Sequence, residues 1–124
     1  MKPGKSGIAR LVDATGYSIK GLKAAWQNEA AFRQELLLVL VLGVASFFLA
    51  TNPLEWLILV TPLLLLLIVE LLNSAIENTV DRIGDEIHEL AGRAKDMGSA
   101  AVLINLVLIA VCWAVVAWGR YHAG

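Results

Sequence analysis

The chain holds one cysteine, Cys112, so it has no intrachain disulfide and no cysteine-built zinc site. Cys112 lies in an apolar run and reads as a small hydrophobe facing lipid or a neighbouring helix. There is no excess of basic charge. Lys and Arg number 10 against 11 Asp and Glu, and a formal charge of −1 lends no support to a nucleic-acid partner. No uninterrupted apolar core precedes Ala30, so no signal peptide is expected and the later apolar runs should remain in the mature protein. Signatures of soluble nucleotide-binding and hydrolytic enzymes are also missing. Neither G-x-S-x-G nor G-x-G-x-x-G occurs. Gly4-Lys5-Ser6 matches the end of a P-loop, but the glycine required five positions earlier would fall before Met1. His88-Glu89-Leu90-Ala91-Gly92 begins like the zincin motif and lacks its second histidine.

What is present is apolar residue in bulk: 58% of the chain is hydrophobic and the mean hydropathy is +0.70. An ordinary small soluble domain is less apolar than this. From Ser6, apolar residues together with Thr15 recur at Ile8, Leu11, Val12, Thr15, Ile19, Leu22 and Trp26, with Arg10, Asp13, Tyr17 and Lys20 on the other side and Lys23 at its border. Spacings of three and four predict an amphipathic helix over 6–27 that lies on a membrane surface, weakened at Gly16 and Gly21. The uncharged run Leu36–Ala50 extends only roughly 22 Å as a helix. A first transmembrane span, expected over 29–50, must therefore include Ala30–Glu35 from the polar entry, with Arg33 and Glu35 at the interface. Thr51-Asn52-Pro53 breaks the helix. A second span over 54–84 starts beside the interfacial Trp56 and continues past the bilayer. Pro62 should kink it, with a neighbouring helix covering the carbonyl that loses its donor. A cytoplasmic loop is expected over 85–96, followed by a third span over 97–119 whose far end carries Trp113, Trp118 and Tyr121. The expected fold is one all-α integral membrane domain, 1–124, with three transmembrane helices and a surface helix. Orientation follows from Lys and Arg. Lys2, Lys5, Arg10, Lys20, Lys23 and Arg33 precede the first span; Arg82, Arg93 and Lys95 lie between the second and third. The turn between the first two spans has none, so the N-terminus and the 81–96 segment are expected in the cytoplasm and the C-terminus outside.

The chemistry concentrates where the second span leaves the bilayer. At 100° per residue, Glu70, Asn73, Ser74, Glu77 and Asp81 share one stripe. Glu70 lies about 24 Å beyond Leu54 along a helix axis, just inside the cytoplasmic boundary, and Glu77 about 10 Å further, among headgroups or water. A carboxylate inside an apolar helix is functional by default. Glu29, Glu77, Asp81, Glu86, His88, Lys95 and Asp96 gather near the same interface. Carboxylates with a lysine beside them suit Mg²⁺ and a phosphate chain. A shielded carboxylate such as Glu70 suits removal of a proton from an alcohol, so phosphoryl transfer from ATP to a membrane-resident alcohol is chemically coherent. Plainer readings apply elsewhere. Asp85 and Glu89 fit a solvated run of alternating charge. Asn105 fits a hydrogen bond across helices, and His122 lies in a tail with no expected role.

Four segments carry a resemblance: N-E-A-A-F-R-Q-E (28–35), V-E-L-L-N-S-A-I-E (69–77), V-D-R-I-G (80–84) and H-E-L-A-G-R-A-K-D-M-G-S-A-A-V (88–102). With the three-span layout they make the chain resemble the prokaryotic membrane diacylglycerol kinase family. The resemblance implies a homotrimer with sites shared between neighbouring subunits. It implies transfer of the ATP γ-phosphate to diacylglycerol with Mg²⁺, in a multi-pass protein of the bacterial inner membrane. Carried over by position, Glu70 is the general base, Glu29 and Glu77 hold magnesium, and Asn73 orders the site. Arg10, Tyr17, Glu29, Glu77, Glu86, His88, Lys95 and Asp96 contact ATP. The lipid lies against Arg10, Ala14, Ser18, Ala31, Phe32, Arg33, Gln34, Glu35, Trp56, Glu70, Ser99 and Trp113. Asp85 and Ile87 receive no side-chain role.

Related proteins phosphorylate undecaprenol, and the shared motifs do not separate the two lipids. A proton or ion pathway through intramembrane carboxylates is the alternative of a different class. Against it, Glu70 lies near one surface and the outer half of the second span is apolar apart from Thr61. A non-catalytic scaffold is the remaining alternative, which Mg·ATP-dependent turnover would remove.

Overall fold

The computed structural model describes residues 6–83 and 89–123. Among these residues it has four helices: α1 (Ile8–Asn28), α2 (Ala30–Leu49), α3 (Pro53–Ile83) and α4 (Glu89–Ala123). Three of them, α2, α3 and α4, are long and apolar enough to cross a membrane. The 31 residues of α3 extend about 46 Å and the 35 of α4 about 52 Å, so both outreach a hydrocarbon core of about 30 Å.

α1 starts after Gly7, whose φ of 62° lies in the left-handed region open to glycine. Its apolar residues Ile8, Leu11, Ile19, Leu22 and Trp26 stay exposed, while Ala25 is buried. One residue, Glu29, separates α1 from α2. It is extended (φ −118°, ψ 104°), its N–H donates to Ala25 O at 2.9 Å, and its own carbonyl accepts from Arg33 N at 3.3 Å. The Arg33 guanidinium donates to Trp26 O at 2.7 Å, tying the end of α1 to the start of α2.

The turn from α2 to α3 has reciprocal caps. Asn52 Oδ1 accepts from Glu55 N at 2.9 Å, while Glu55 Oε1 accepts from Thr51 N at 2.8 Å and from Thr51 Oγ1 at 2.6 Å. Pro53 takes the first helical position, where its missing N–H is harmless. Within α3, Pro62 removes the donor to the carbonyl four residues back. α4 supplies two donors nearby: Trp113 Nε1 to Leu59 O and Asn105 Nδ2 to Pro62 O, each at 3.1 Å. Asn105 therefore makes the cross-helix bond expected of it. At the far end of α4, Arg120 Nη1 donates to Leu49 O at 2.6 Å and satisfies the end of α2.

The internal core is small: Val39, Leu63, Leu66 and Ile109, flanked by Leu42, Leu67, Val102 and Trp113. Most other apolar side chains of the spans, Leu37, Leu64, Leu103 and Ile104 among them, face outward.

The expected 85–96 loop needs correction. Residues 84–88 lie outside the described residues, but α4 is already helical from Glu89, so the last eight positions of that loop are helix. Glu89 and Arg93 pair at 3.0 Å across one turn, and Ala91 and Ala94 favour helix. Polarity alone suggests a loop; the pairing gives a solvated helix end. Likewise α4 continues past 119 to Ala123.

Candidate functional site

The stripe on α3 divides by depth. Glu70, Asn73 and Ser74 are buried, at 3%, 9% and 7% exposure; Glu77 is half-buried and Asp81 exposed. Helical spacing of three and four places the Asn73 amide between the two glutamates. Its Nδ2 donates to Glu77 Oε1 at 3.2 Å and, at the limit of bonding, to Glu70 Oε2 at 3.5 Å. Carboxylates accept and do not donate, so the amide nitrogen must face them and Oδ1 must turn away. Asn73 Oδ1 is buried with no partner, directed at Gly98 of α4. From α2, the Glu35 side chain reaches Glu70, and its Oε2 is also buried without a partner.

Between α1 and α3 lies a cavity of about 850 Å³. Ser18, Ala25, Asn28 and Glu29 line one wall; Ser74, Glu77, Asn78 and Asp81 line the other. Glu70 is not among its lining residues and sits behind the α3 wall, joined to it through Asn73. Of the three carboxylates that line the cavity, two are held by an amide: Glu77 by Asn73, and Glu29 by Asn78, whose Nδ2 donates to Glu29 Oε1 at 3.3 Å; the third, Asp81, pairs with a lysine. Among the described residues no group of three or more His, Cys, Asp or Glu gathers to hold a metal ion. Two fixed carboxylates on an open cleft fit an ion that takes its remaining ligands from water and phosphate, as Mg²⁺ does.

Lys95 of α4 pairs with Asp81 Oδ1 at 2.6 Å. Its pKa is raised, first by the hydrogen bond to Asp81 and then by the charges of Asp81 and Glu77. The ammonium therefore stands beside the acidic wall fully charged.

The structure gathers some of the sequence-predicted residues and separates others. Glu29, Ser18 and Glu77 share the cavity; Lys95 adjoins it through Asp81; Glu70, Asn73 and Glu35 form the buried group behind. Ala14 is half-buried one turn before Ser18, whose Oγ donates to Ala14 O at 2.8 Å. Arg10 and Tyr17 are exposed on α1, with Lys20 Nζ 5.9 Å above the Tyr17 ring. Asp96 and Ser99 are exposed on α4, and Ala31 and Gln34 on α2. Phe32 is buried in protein, and Arg33 is engaged with Trp26 O. Trp56 and Trp113 lie towards the other end of the spans. Trp56 is about 21 Å from Glu70 along the helix axis, and Trp113 is bonded to Leu59 O. Glu86 and His88 fall outside the described residues.

Sequence reasoning gave no site role to Asn78 or Gly98; it put Asp81 on the acidic stripe without naming Lys95 as its partner. Asn78 and Asp81 sit one turn and two turns beyond Ser74, so the helical period already placed them on the cavity wall. Nothing local distinguishes Gly98 from the small residues after it.

The model of the family described as prokaryotic diacylglycerol kinase matches residues 16–117. The chain is 51% identical over 116 residues to a diacylglycerol kinase of Escherichia coli K12, covering 94% of this chain and 95% of that protein. It is 50% identical over 116 residues to one from Pseudomonas aeruginosa, covering 94% of each chain. To one from Haemophilus influenzae it is 47% identical over 108 residues, 87% of this chain and 92% of that protein.

Proposed function

The chain belongs to the prokaryotic diacylglycerol kinase family, and from that membership we propose how its residues perform the reaction. It is a multi-pass membrane diacylglycerol kinase, an ATP-dependent lipid phosphotransferase. The observation that carries the assignment of roles is the chain Glu70–Asn73–Glu77, which links a buried carboxylate to one facing the cavity.

ATP takes the cavity between α1 and α3, with its phosphates towards Glu29, Glu77 and Lys95. Glu29 and Glu77 would hold Mg²⁺, which supplies neutralisation of phosphate charge when bound. The lipid approaches from the bilayer, so its acyl chains stay in hydrocarbon and its hydroxyl alone reaches Glu70. Glu70 takes the hydroxyl proton as that oxygen bonds to the γ-phosphorus; the bond from the γ-phosphorus to the bridging oxygen breaks, and ADP leaves. Asn73 orients both glutamates, and Lys95 stabilises charge on the transferring group. Arg10 and Tyr17 on α1, Asp96 on α4, and Glu86 and His88 complete the nucleotide contacts. Ala14, Ser18, Ala31, Gln34, Glu35 and Ser99 border the lipid hydroxyl, while Trp56 and Trp113 border the acyl chains deeper in the bilayer.

The active form is a homotrimer whose sites are shared between subunits. Supporting this, three thin spans leave most of their apolar side chains uncovered and cannot alone enclose both ATP and a lipid headgroup. The excess of Lys and Arg before α2 and around the α3–α4 connection supports an N-terminus in the cytoplasm, a C-terminus outside, and a site at the inner leaflet of the bacterial inner membrane.

The test is turnover of purified protein in mixed micelles with labelled ATP and Mg²⁺, diacylglycerol and undecaprenol being compared side by side. Phosphatidic acid is the expected main product. A strong preference for undecaprenol would replace the substrate and keep the mechanism; conductance without ATP consumption would replace both.

A further inference from the structure

Gly98 is the only described glycine whose side-chain position is occupied. A Cβ built there overlaps Asn73 Oδ1 and comes within 3.3 Å of Asn73 Cγ and 3.8 Å of Asn73 Cα. At Gly16, Gly21, Gly43, Gly92 and Gly119 nothing lies within 4 Å. Gly98 sits inside α4 without a positive φ, so its backbone does not call for glycine. An interior helical glycine is less favourable than alanine, so the steric fit against Asn73 is what this position needs.

We propose that Gly98 is a positioning residue of the kinase reaction: its bare backbone lets the Asn73 amide lie where Nδ2 faces both Glu70 and Glu77. Oδ1 of that amide is buried, has no hydrogen-bond partner, and occupies the space a side chain at Gly98 would fill. Two rigid constraints thus hold one group. Two carboxylates draw the nitrogen end, and the surface of α4 confines the oxygen end. A methyl group at position 98 must rotate Asn73 or push α4 away from α3. Because the bonds from Nδ2 measure 3.2 and 3.5 Å, small rotations break them. The base then loses its fixed relation to the carboxylate on the cavity wall, and misplacement of about 1 Å near the chemistry costs on the order of a hundredfold in rate.

The inference rests on Asn73 ordering the site, as proposed above. It is tested by a double-mutant cycle of Gly98→Ala and Asn73→Ala in mixed micelles, with kcat and KM for lipid and Mg·ATP measured separately. Gly98→Ala should lower kcat on the order of ten- to a hundredfold with little change in the KM for lipid. In the Asn73→Ala background the same substitution should have almost no further effect, because the overlapping oxygen is gone. Equal, multiplicative losses in both backgrounds would overturn the proposal and leave Gly98 a packing residue. A second readout needs no turnover: the Asn73 side-chain ¹⁵N–¹H resonances of metal-free protein should shift in Gly98→Ala, and unmoved resonances would overturn it. If Gly98→Ala does not fold, recovery of folding in the double variant supports the contact; failure there as well overturns it. Wild-type turnover and Glu70→Gln in the same assay separate this result from failure of the kinase mechanism itself.

Discussion

Replacing Glu70 by glutamine removes the proposed base and little else. Glu70 is 3% exposed, and glutamine keeps its volume, so the surrounding packing is retained. Its bond from Asn73 Nδ2 is the weaker of two at 3.5 Å; the 3.2 Å bond to Glu77 remains and continues to aim the amide. The new amide also offers a donor on the side that the Glu35 carboxyl group reaches. Folded stability should therefore hold. A positioned general base contributes about 10²- to 10⁴-fold, which at 1.36 kcal/mol per tenfold is about 2.7–5.4 kcal/mol of transition-state stabilisation. Glu70 does not line the cavity, whereas Glu29 and Glu77 do, so nucleotide binding should be nearly untouched. The expected result is a fall in kcat of about 10²- to 10⁴-fold with KM for ATP and directly measured ATP affinity close to wild type. A kcat near that of wild type would refute the assignment. So would a loss of ATP affinity as large as the loss of rate, which would make Glu70 part of the nucleotide site.

Glu77→Gln keeps a partner for Asn73 but removes one of the two carboxylates proposed to hold Mg²⁺; the Mg²⁺ concentration for half-maximal rate should rise about tenfold or more, and an unchanged titration would remove Glu77 as a ligand. Asp81→Asn deletes the main cause of the raised Lys95 pKa. In the wild type the pair persists through the ordinary lysine range and is lost only as pH rises through the elevated value. In the variant, deprotonation of Lys95, followed by its side-chain carbon resonance, should move to lower pH; an unmoved titration would contradict the pairing. Asn105→Ala leaves Pro62 O without its cross-helix donor and opens space between α3 and α4. Unfolding in mixed micelles should show a loss of about 1–3 kcal/mol, with no loss expected if the bond is incidental.

The stripe of Glu70, Asn73 and Glu77 is legible in the sequence because a helix continuing out of an apolar run carries its period with it. The same holds for the break at Thr51-Asn52-Pro53, which the structure resolves into reciprocal caps. The charges before Met97 predict a loop, yet Glu89 and Arg93 are spaced one turn apart and pair there. Polarity reports solvent exposure and says little about whether an exposed segment is helical.

Hydropathy and helical period, both properties of neighbouring residues, were enough to establish three spans, a helix ahead of them, and the face that bears the acids. Packing assigned the rest. Asn78 meets Glu29 across 49 positions, Lys95 meets Asp81, Glu35 turns to Glu70, and Asn73 fits the space left by Gly98. Each of these pairs joins two segments distant in sequence, whose relative angle and depth depend on every side chain between them. No local pattern encodes such a contact, and it exists once α2, with Glu29 at its head, is brought together with α3 and α4.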